Sequence, residues 1–484
     1  MEKSLVKNSI YNIIYKLVTA LYPLVAVTYV SHVLLSEKMG MVSYAQNIVS
    51  YFAIFAALGI PTYGIRETAI RSNDKFERSQ LFWELFTINS ISTTIALVAY
   101  VILISNVNRF VSNIVLYIVA GLQIAFNYLN VDWFFQGMEE YRYISIRSII
   151  VKLVALVALP IVIKTQKDYV WYALIYCLAI AGNNIFNILH IRRYISKPRK
   201  KLHISQHMKS ISILLIVSVA VEIYAMIDTT MLGIFCNDST VGCYSNAMKL
   251  TRMVNTMAAA IGAVLFPRLS LIINNDEKAR FNNLVNNGIQ IMLMIAMPAM
   301  VGLIICSKSI ILLFFGESFF DAIPILRILS LMVPVVVCNT LMGGQVLVTT
   351  NQEKKYVISV VIASVINVLL NALFIPRFGA TSAAIASLIS EVIVLILYCY
   401  FAKEYVCLVF STRYVVSIII PLLIYICFSK VVLARIQVGL LASLILNVVS
   451  CVAIYFGLGL IMKNEAMWMT YNKCKSLLFH RTSI

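Results

Sequence analysis

The chain has 484 residues, 61% of them hydrophobic and only 12% charged, with mean hydropathy +0.88. Soluble domains are near half apolar and about a quarter charged, so a water-soluble globular enzyme is excluded. The net charge of +18 falls in short segments between apolar runs, where the positive-inside bias explains it without a nucleic-acid partner.

A helix needs roughly 20 mainly apolar residues to cross hydrocarbon, and such runs follow one another from residue 9 to residue 462. They predict an all-α polytopic membrane protein with about fourteen transmembrane helices. The spans fall at about 9–34, 43–64, 81–104, 111–135, 144–163, 169–190 and 210–234, then 243–267, 285–307, 322–349, 356–375, 380–402, 412–432 and 437–462. The start MEKSLVKNSIYNIIY runs into a long, polar-studded first span with no small-residue cleavage site, so no cleavable signal is expected.

In chain order, the first span carries Asn8, Asn12, Lys16 and Thr19 at near-helical spacing, with Tyr15 and Tyr22 beside them. Glu84 lies in the third span. The fourth carries Gln123, Asn127 and Asn130 at i, i+4 and i+7, followed by Asp132, and the fifth carries Lys152. Next comes IRRYISKPRKKLHISQHMK, residues 191–209, with seven Lys and Arg. Such a cluster cannot sit in hydrocarbon and stays on the cytoplasmic face. Span seven holds Glu222 and Asp228, about 120° apart on the helix. Span eight holds Asn246, Lys249, Arg252 and Thr256 on one broad face, Arg327 opens span ten, and Glu391 lies one turn after Ser387 in span twelve.

With the N-terminus inside, twenty-six basic residues fall on the cytoplasmic side, Arg142 and Arg147 among them, against eight outside. Both termini are therefore expected in the cytoplasm. The halves echo each other. Glu139-Glu140-Tyr141 precedes a helix ending at Pro160, and Lys354-Lys355-Tyr356 precedes one ending at Pro376; Tyr44 and Arg66 are paralleled by Tyr244 and Arg268. Six helices per copy is an even number, so the copies are expected as parallel repeats about an axis normal to the membrane. The expected organisation is an N-lobe over 1–190, a basic cytoplasmic linker over 191–209, a C-lobe over 210–403, and two extra helices with a cytoplasmic tail over 404–484.

Ionisable side chains at membrane depth cost several kcal/mol unless they face a cavity or a partner. Lys16, Lys152, Lys249, Arg252 and Arg327 are accordingly candidates to line a cationic cavity suited to a phosphate-bearing substrate. The competing reading is snorkelling towards a helix end. Glu222, Asp228 and Glu391 are candidates to bind a proton or sodium ion and couple its gradient to transport, or else structural partners for the cations. Prolines in the spans read as packing features or as hinges. The ten cysteines lack metal spacing and read as small packing residues. Cys236 and Cys243 flank one external turn and read as free thiols, with pairing as the alternative. The longest loop is the linker, and no Walker motif is present. An ATP-driven pump, a glycan polymerase or ligase, catalytic residues, a metal and a resident cofactor are therefore not expected.

Ala57-Leu58-Gly59-Ile60-Pro61-Thr62-Tyr63-Gly64-Ile65-Arg66-Glu67 resembles the end of the second helix in bacterial polysaccharide flippases of the Wzx type. Asp132-Trp133-Phe134-Phe135-Gln136-Gly137 with Glu139-Glu140-Tyr141 is similar to the segment after their fourth helix. Met231-Leu232-Gly233 with Val241-Gly242-Cys243-Tyr244-Ser245 resembles the turn between helices seven and eight. Asn367, Asn371 and Ile375-Pro376-Arg377-Phe378-Gly379-Ala380 resemble the turn between eleven and twelve. The likeness covers about residues 5–400. It places the chain in the superfamily that also holds multidrug exporters and the lipid II flippase. The resemblance implies two six-helix lobes and alternating access. It also implies a polyprenyl-pyrophosphate-linked oligosaccharide as cargo, of the undecaprenyl type, moved to the outer leaflet of a bacterial cytoplasmic membrane. Membrane lipids, a polysaccharide polymerase and glycosyltransferases are the implied partners. The alternatives are a drug or cation antiporter, which would want an acidic cavity, and a lipid II flippase.

Overall fold

The computed structural model describes residues 5–198, 201–274 and 277–479, without the side chains of 5–10, 12–14, 16–17, 20, 217, 257–268, 274 and 473–479. Among the described residues every regular element is a helix. The chain divides into two compact units, Met1–Gly242 and Cys243–Ile484.

In the first unit α1 (Leu5–Ala57) is two spans joined at Leu35, whose backbone (φ 61, ψ 176) leaves helical space. That region is all but reserved for glycine and costs of order 1–3 kcal/mol, so the surrounding packing must hold the turn. After Gly59, α2 (Ile60–Ile70) begins with Pro61 in its first turn, where a missing N–H loses no helical bond. Asp74 caps α3 (Lys75–Asn106) by accepting from the backbone N–H groups of Phe76 at 2.7 Å and Glu77 at 3.1 Å. Then come α4 (Asn108–Val111), α5 (Ile114–Ala125), a 3₁₀ turn (Phe126–Leu129) and α6 (Asp132–Gly137). The fourth span is thus broken, not continuous. Its amide row does not form one helical stripe: Asn130 is already extended (φ −80, ψ 94).

Beyond it lie α7 (Tyr141–Val162), α8 (Tyr169–Ala181), α9 (Asn183–Ile191) and α10 (Ser205–Phe235); α11 (Asp238–Asn274) runs on into the second unit. The second unit continues with α12 (Lys278–Phe314), α13 (Ala322–Ser330), α14 (Met332–Leu341) and a π-helical turn (Met342–Leu347). In α15 (Glu353–Ala402) Gly379 (φ 59, ψ −142) separates two spans. α16 (Thr412–Val431), α17 (Leu440–Ile461) and α18 (Glu465–Phe479) complete the chain. The last of these lies beyond the final expected span and has no counterpart in the sequence reading.

Nine helices among the described residues are long and apolar enough to cross a membrane, or ten with the bent pair Ala322–Ser330 and Met332–Leu347. Two of the nine are 50-residue segments, Leu21–Ile70 and Glu353–Ala402, each containing a break and reading as two spans. The protein is a polytopic all-α membrane protein. Lipid tails are as apolar as leucine, so close van der Waals packing at small residues, not water exclusion, holds such helices together. Two of the segments quoted above show this directly. A Cβ on Gly64 of α2 would lie 2.5 Å from the Trp133 ring of α6, and one on Gly137 would lie 2.6 Å from Thr68. The two motifs interlock through reciprocal glycines. Around them Phe82, Trp133, Phe134 and Phe135 form an aromatic core. In the second unit Tyr414, Tyr425 and Tyr455 anchor the packing of α12, α16 and α17.

The nine described cysteines are free thiols, Cys236 and Cys243 included.

Candidate functional site

Lys152 is 5% exposed on α7, and its ammonium donates to the hydroxyls of Thr19 (2.8 Å) and Ser148 (3.0 Å). It also stands 5.7 Å from the centre of the Tyr15 ring. Ser148 is one turn away on the same helix, so half of this cradle is local, while Thr19 comes from α1. Lys249 on α11 donates to the amide oxygen of Asn246 at 3.0 Å, again one turn back. Both lysines are met by neutral oxygens. Among the described residues neither lysine makes an ion pair.

Arg252 is exposed on the next turn of α11. Arg327 is exposed on α13, and its Nε donates to Ser307 of α12 at 2.8 Å. The side chain of Lys16 lies outside the described residues. Lys152 belongs to the first unit, and Lys249, Arg252 and Arg327 to the second.

Among the carboxylates, Glu222 is exposed on α10 and Asp228 is 7% exposed one and a half turns later. Beside Asp228, Thr230 receives the Nδ2 of Asn47 at 2.7 Å and pairs with the Tyr51 hydroxyl at 2.8 Å. Glu391 on α15 accepts from Asn339 Nδ2 at 2.7 Å, and its backbone carbonyl accepts from the same amide at 3.0 Å. The Asn339 amide oxygen is buried with no hydrogen-bond partner. The π-helical turn that follows directly, an arrangement frequent at functional sites, carries Gly343 against the stacked rings of Tyr356 and Tyr398.

Two groupings escaped the sequence reading. Arg147, tallied there among the cytoplasmic loop cations, is 7% exposed within α7. Its guanidinium donates to both oxygens of Asp132, at 2.8 and 3.0 Å, and to Asn187 Oδ1. Asn187 Nδ2 donates in turn to Asp132 at 2.9 Å and to the Leu129 carbonyl at 3.3 Å. This triad ties the broken fourth span to α7 and α9. No local signal marks it, because the three residues come together only after the helix breaks at 126–131.

The second grouping binds the basic linker. Its described residues 192–198 and 201–204 are not helical, and Tyr194, Ser196, Lys201 and His203 are hydrogen-bonded to α3. Arg78 donates to the Tyr194 carbonyl at 2.9 Å, and Ser79 accepts from the Ser196 N–H at 2.9 Å. Trp83 donates to the Ser196 carbonyl at 2.9 Å, and Glu84 accepts from the His203 N–H at 2.9 Å. Ser79 and Trp83, at i and i+4, lie one above the other on α3. Beyond the strap, His207 Nε2 meets Glu84 at 2.8 Å and Nδ1 meets the Tyr63 hydroxyl at 2.8 Å, all three buried. Tyr194 donates to Glu140 at 2.9 Å. Burial, reinforced by that bond, pushes its phenol up to about 12, so it stays a donor at neutral pH.

Solved structures share the fold. The chain resembles the lipid II flippase MurJ in its inward closed conformation with TM-score 0.74 at 15% identity, over 94% of this chain and 98% of that one. An inward-facing multidrug resistance MATE family transporter of the MOP superfamily gives 0.62 at 15% identity, over 80% and 94%. Among curated proteins, a putative O-antigen transporter of Escherichia coli is 22% identical over 83% of this chain and 97% of its own length. The capsular polysaccharide biosynthesis protein CapF of Staphylococcus aureus is 22% identical over 83% and 100%. The probable low-salt glycan biosynthesis flippase Agl15 of Haloferax volcanii is 27% identical, but the match spans 39% of this chain and 40% of that protein. The model of the family described as polysaccharide biosynthesis protein matches residues 5–273, and with more than half of its length so covered, the chain belongs to the polysaccharide biosynthesis protein family.

Proposed function

We propose that this protein is a flippase of surface-polysaccharide biosynthesis. In this reading it moves polyprenyl-pyrophosphate-linked oligosaccharide units from the cytoplasmic to the outer leaflet of a bacterial inner membrane. The family match over residues 5–273 carries the reading. The chemistry around Lys152 and Lys249 supports it. Lys152 and Lys249 sit at membrane depth among hydroxyl and amide oxygens, an arrangement suited to a pyrophosphate and ill suited to a cationic drug. Arg252, one turn from Lys249, would add a planar fork for phosphate oxygens.

The test is export by the variant Lys249→Gln/Arg252→Gln. Charge-assisted contacts are worth about 1.5–3 kcal/mol each, so losing both predicts a fall in flipping of about a hundredfold to ten-thousandfold. The readouts are less surface polysaccharide and lipid-linked oligosaccharide held in the inner leaflet, at unchanged protein level. Normal export would remove both residues from the substrate path.

Transport is driven, in this proposal, by a proton or sodium gradient acting on Glu391. The partnerless amide oxygen of Asn339 supports the reading, since it is a second acceptor next to the carboxylate. Glu391→Gln keeps the shape and the bond to Asn339 but deletes the charge. Proteoliposomes carrying it are expected to flip a fluorescent lipid-linked oligosaccharide at a rate indifferent to an imposed gradient, whereas the unaltered protein responds. Equal stimulation of both would assign coupling elsewhere, with Asp228 next to be tested and exposed Glu222 after it. In this organisation the two six-helix lobes alternate access around the cargo, both termini lie in the cytoplasm, and a polymerase and glycosyltransferases act on either side of the step.

A further inference from the structure

A cavity of about 360 Å³ opens on the first unit between α3, the end of α9 and the strap that follows. Its inner wall is aromatic, from Phe82, Trp83 and Phe86, and its outer wall is aliphatic, from Ile188 and Ile195. Arg192 and Lys197 stand on its rim, both exposed and making no ion pair among the described residues. Among the described residues no acidic side chain lines it. The nearby carboxylate, Glu84, is buried and taken up by Gln80, the His203 N–H, Gln206 and His207.

The groove also sits at a particular height. Towards the interior of the membrane its neighbours on α9 are exposed apolar side chains, Ile185, Phe186 and Leu189. Towards its other end the basic strap begins. It therefore spans the level where hydrocarbon gives way to headgroups, on the side that the positive-inside bias makes cytoplasmic. The strap cannot swing away from it cheaply, because Trp83 donates to Ser196 and Ser79 accepts from it.

We infer that this groove holds one acyl chain of an anionic glycerophospholipid, with the phosphate and its headgroup against Arg192 and Lys197. An apolar slot with two cations and no carboxylate at its mouth discriminates by charge, and a basic pocket between helices at the cytoplasmic surface is the form such sites take. A zwitterionic lipid would bring its ammonium to the same two cations. The bound lipid would brace the strap against α3, and the inference concerns a resident lipid, independent of what the protein transports.

Trp83 reports on the slot. Full-length protein is placed in phosphatidylcholine vesicles doped with phosphatidylglycerol brominated on its acyl chains, or with equally brominated phosphatidylcholine. The quenching belonging to Trp83 is the difference between the unaltered protein and Trp83→Phe. Each cation near the surface is worth about fivefold in anionic-lipid affinity, so at low salt phosphatidylglycerol is expected to quench at roughly 25-fold lower mole fraction, the excess shrinking as salt screens it. In Arg192→Gln/Lys197→Gln the two lipids should quench alike. Both residues are exposed, and an unchanged elution profile and emission maximum would show that this variant is folded. Equal quenching by the two lipids in the unaltered protein overturns the inference, as does an excess that survives in the double variant. Full recovery of fluorescence on adding inorganic phosphate would also overturn it, since the site would then hold a free anion and no lipid.

Discussion

Replacing Arg147 with methionine is expected to lower the unfolding free energy by about 3–5 kcal/mol, the usual consequence of stranding one member of a buried ion pair. Half-buried Asp132 would keep the Asn187 amide but lose the arginine, which supplies two of its hydrogen bonds. The double variant Asp132→Asn/Arg147→Met removes both charges and is expected to recover most of the loss. Replacing a buried pair outright is often neutral, whereas breaking it is not. Thermal unfolding of the purified protein in detergent measures the contrast. If the double variant melts as low as the single one, the loss belongs to the packing of the arginine's aliphatic stem and of its face against Tyr143, and the charge pair holds nothing.

Gly40 is expected to tolerate nothing larger. A Cβ there would overlap the backbone carbonyl of Asp238 and lie 2.9 Å from the Gly242 nitrogen. Both obstacles are main chain, so neither can rotate away. The contact joins the second half of α1 to the first turn of α11, where Ser36 also bonds Ser239 at 2.7 Å. Gly40→Val is expected to yield no folded protein, and Gly40→Ala to cost at least about 3 kcal/mol as an overpacked site. Gly302, inside α12, meets no atom within 4 Å of its Cβ position. There the same change to alanine should stabilise by up to about 1 kcal/mol, from helix propensity alone. Opposite signs in the two melting curves would verify the close approach. A shared small effect would mean that α1 and the first turn of α11 do not approach this closely.

Much of this architecture can be read along the chain, and for identifiable reasons. Apolar runs long enough to cross hydrocarbon mark the spans, and the division of α15 is legible because Gly379 follows Pro376 between two such runs. The partners of Lys249 and half of those of Lys152 are also local, at Asn246 and Ser148, so a helical period brings them to one face. The burial of Arg147 is not legible in the chain, for the converse reason. A positive charge near a span end carries the same letter whether it is solvated or buried, and Asp132 reaches it only because the fourth span breaks.

The amino-acid order was therefore sufficient for whatever depends on neighbours within a turn or two: which segments are apolar enough to enter the bilayer and which family motifs are present. Folding was needed to show that the basic linker is fastened along α3, that Gly64 and Gly137 lock two motifs together, and that Asp132, Arg147 and Asn187 share one buried site. Those partners are drawn from separate helices, and hydrogen bonds and backbone clearances act over a few ångströms in space, whatever distance separates the residues along the chain.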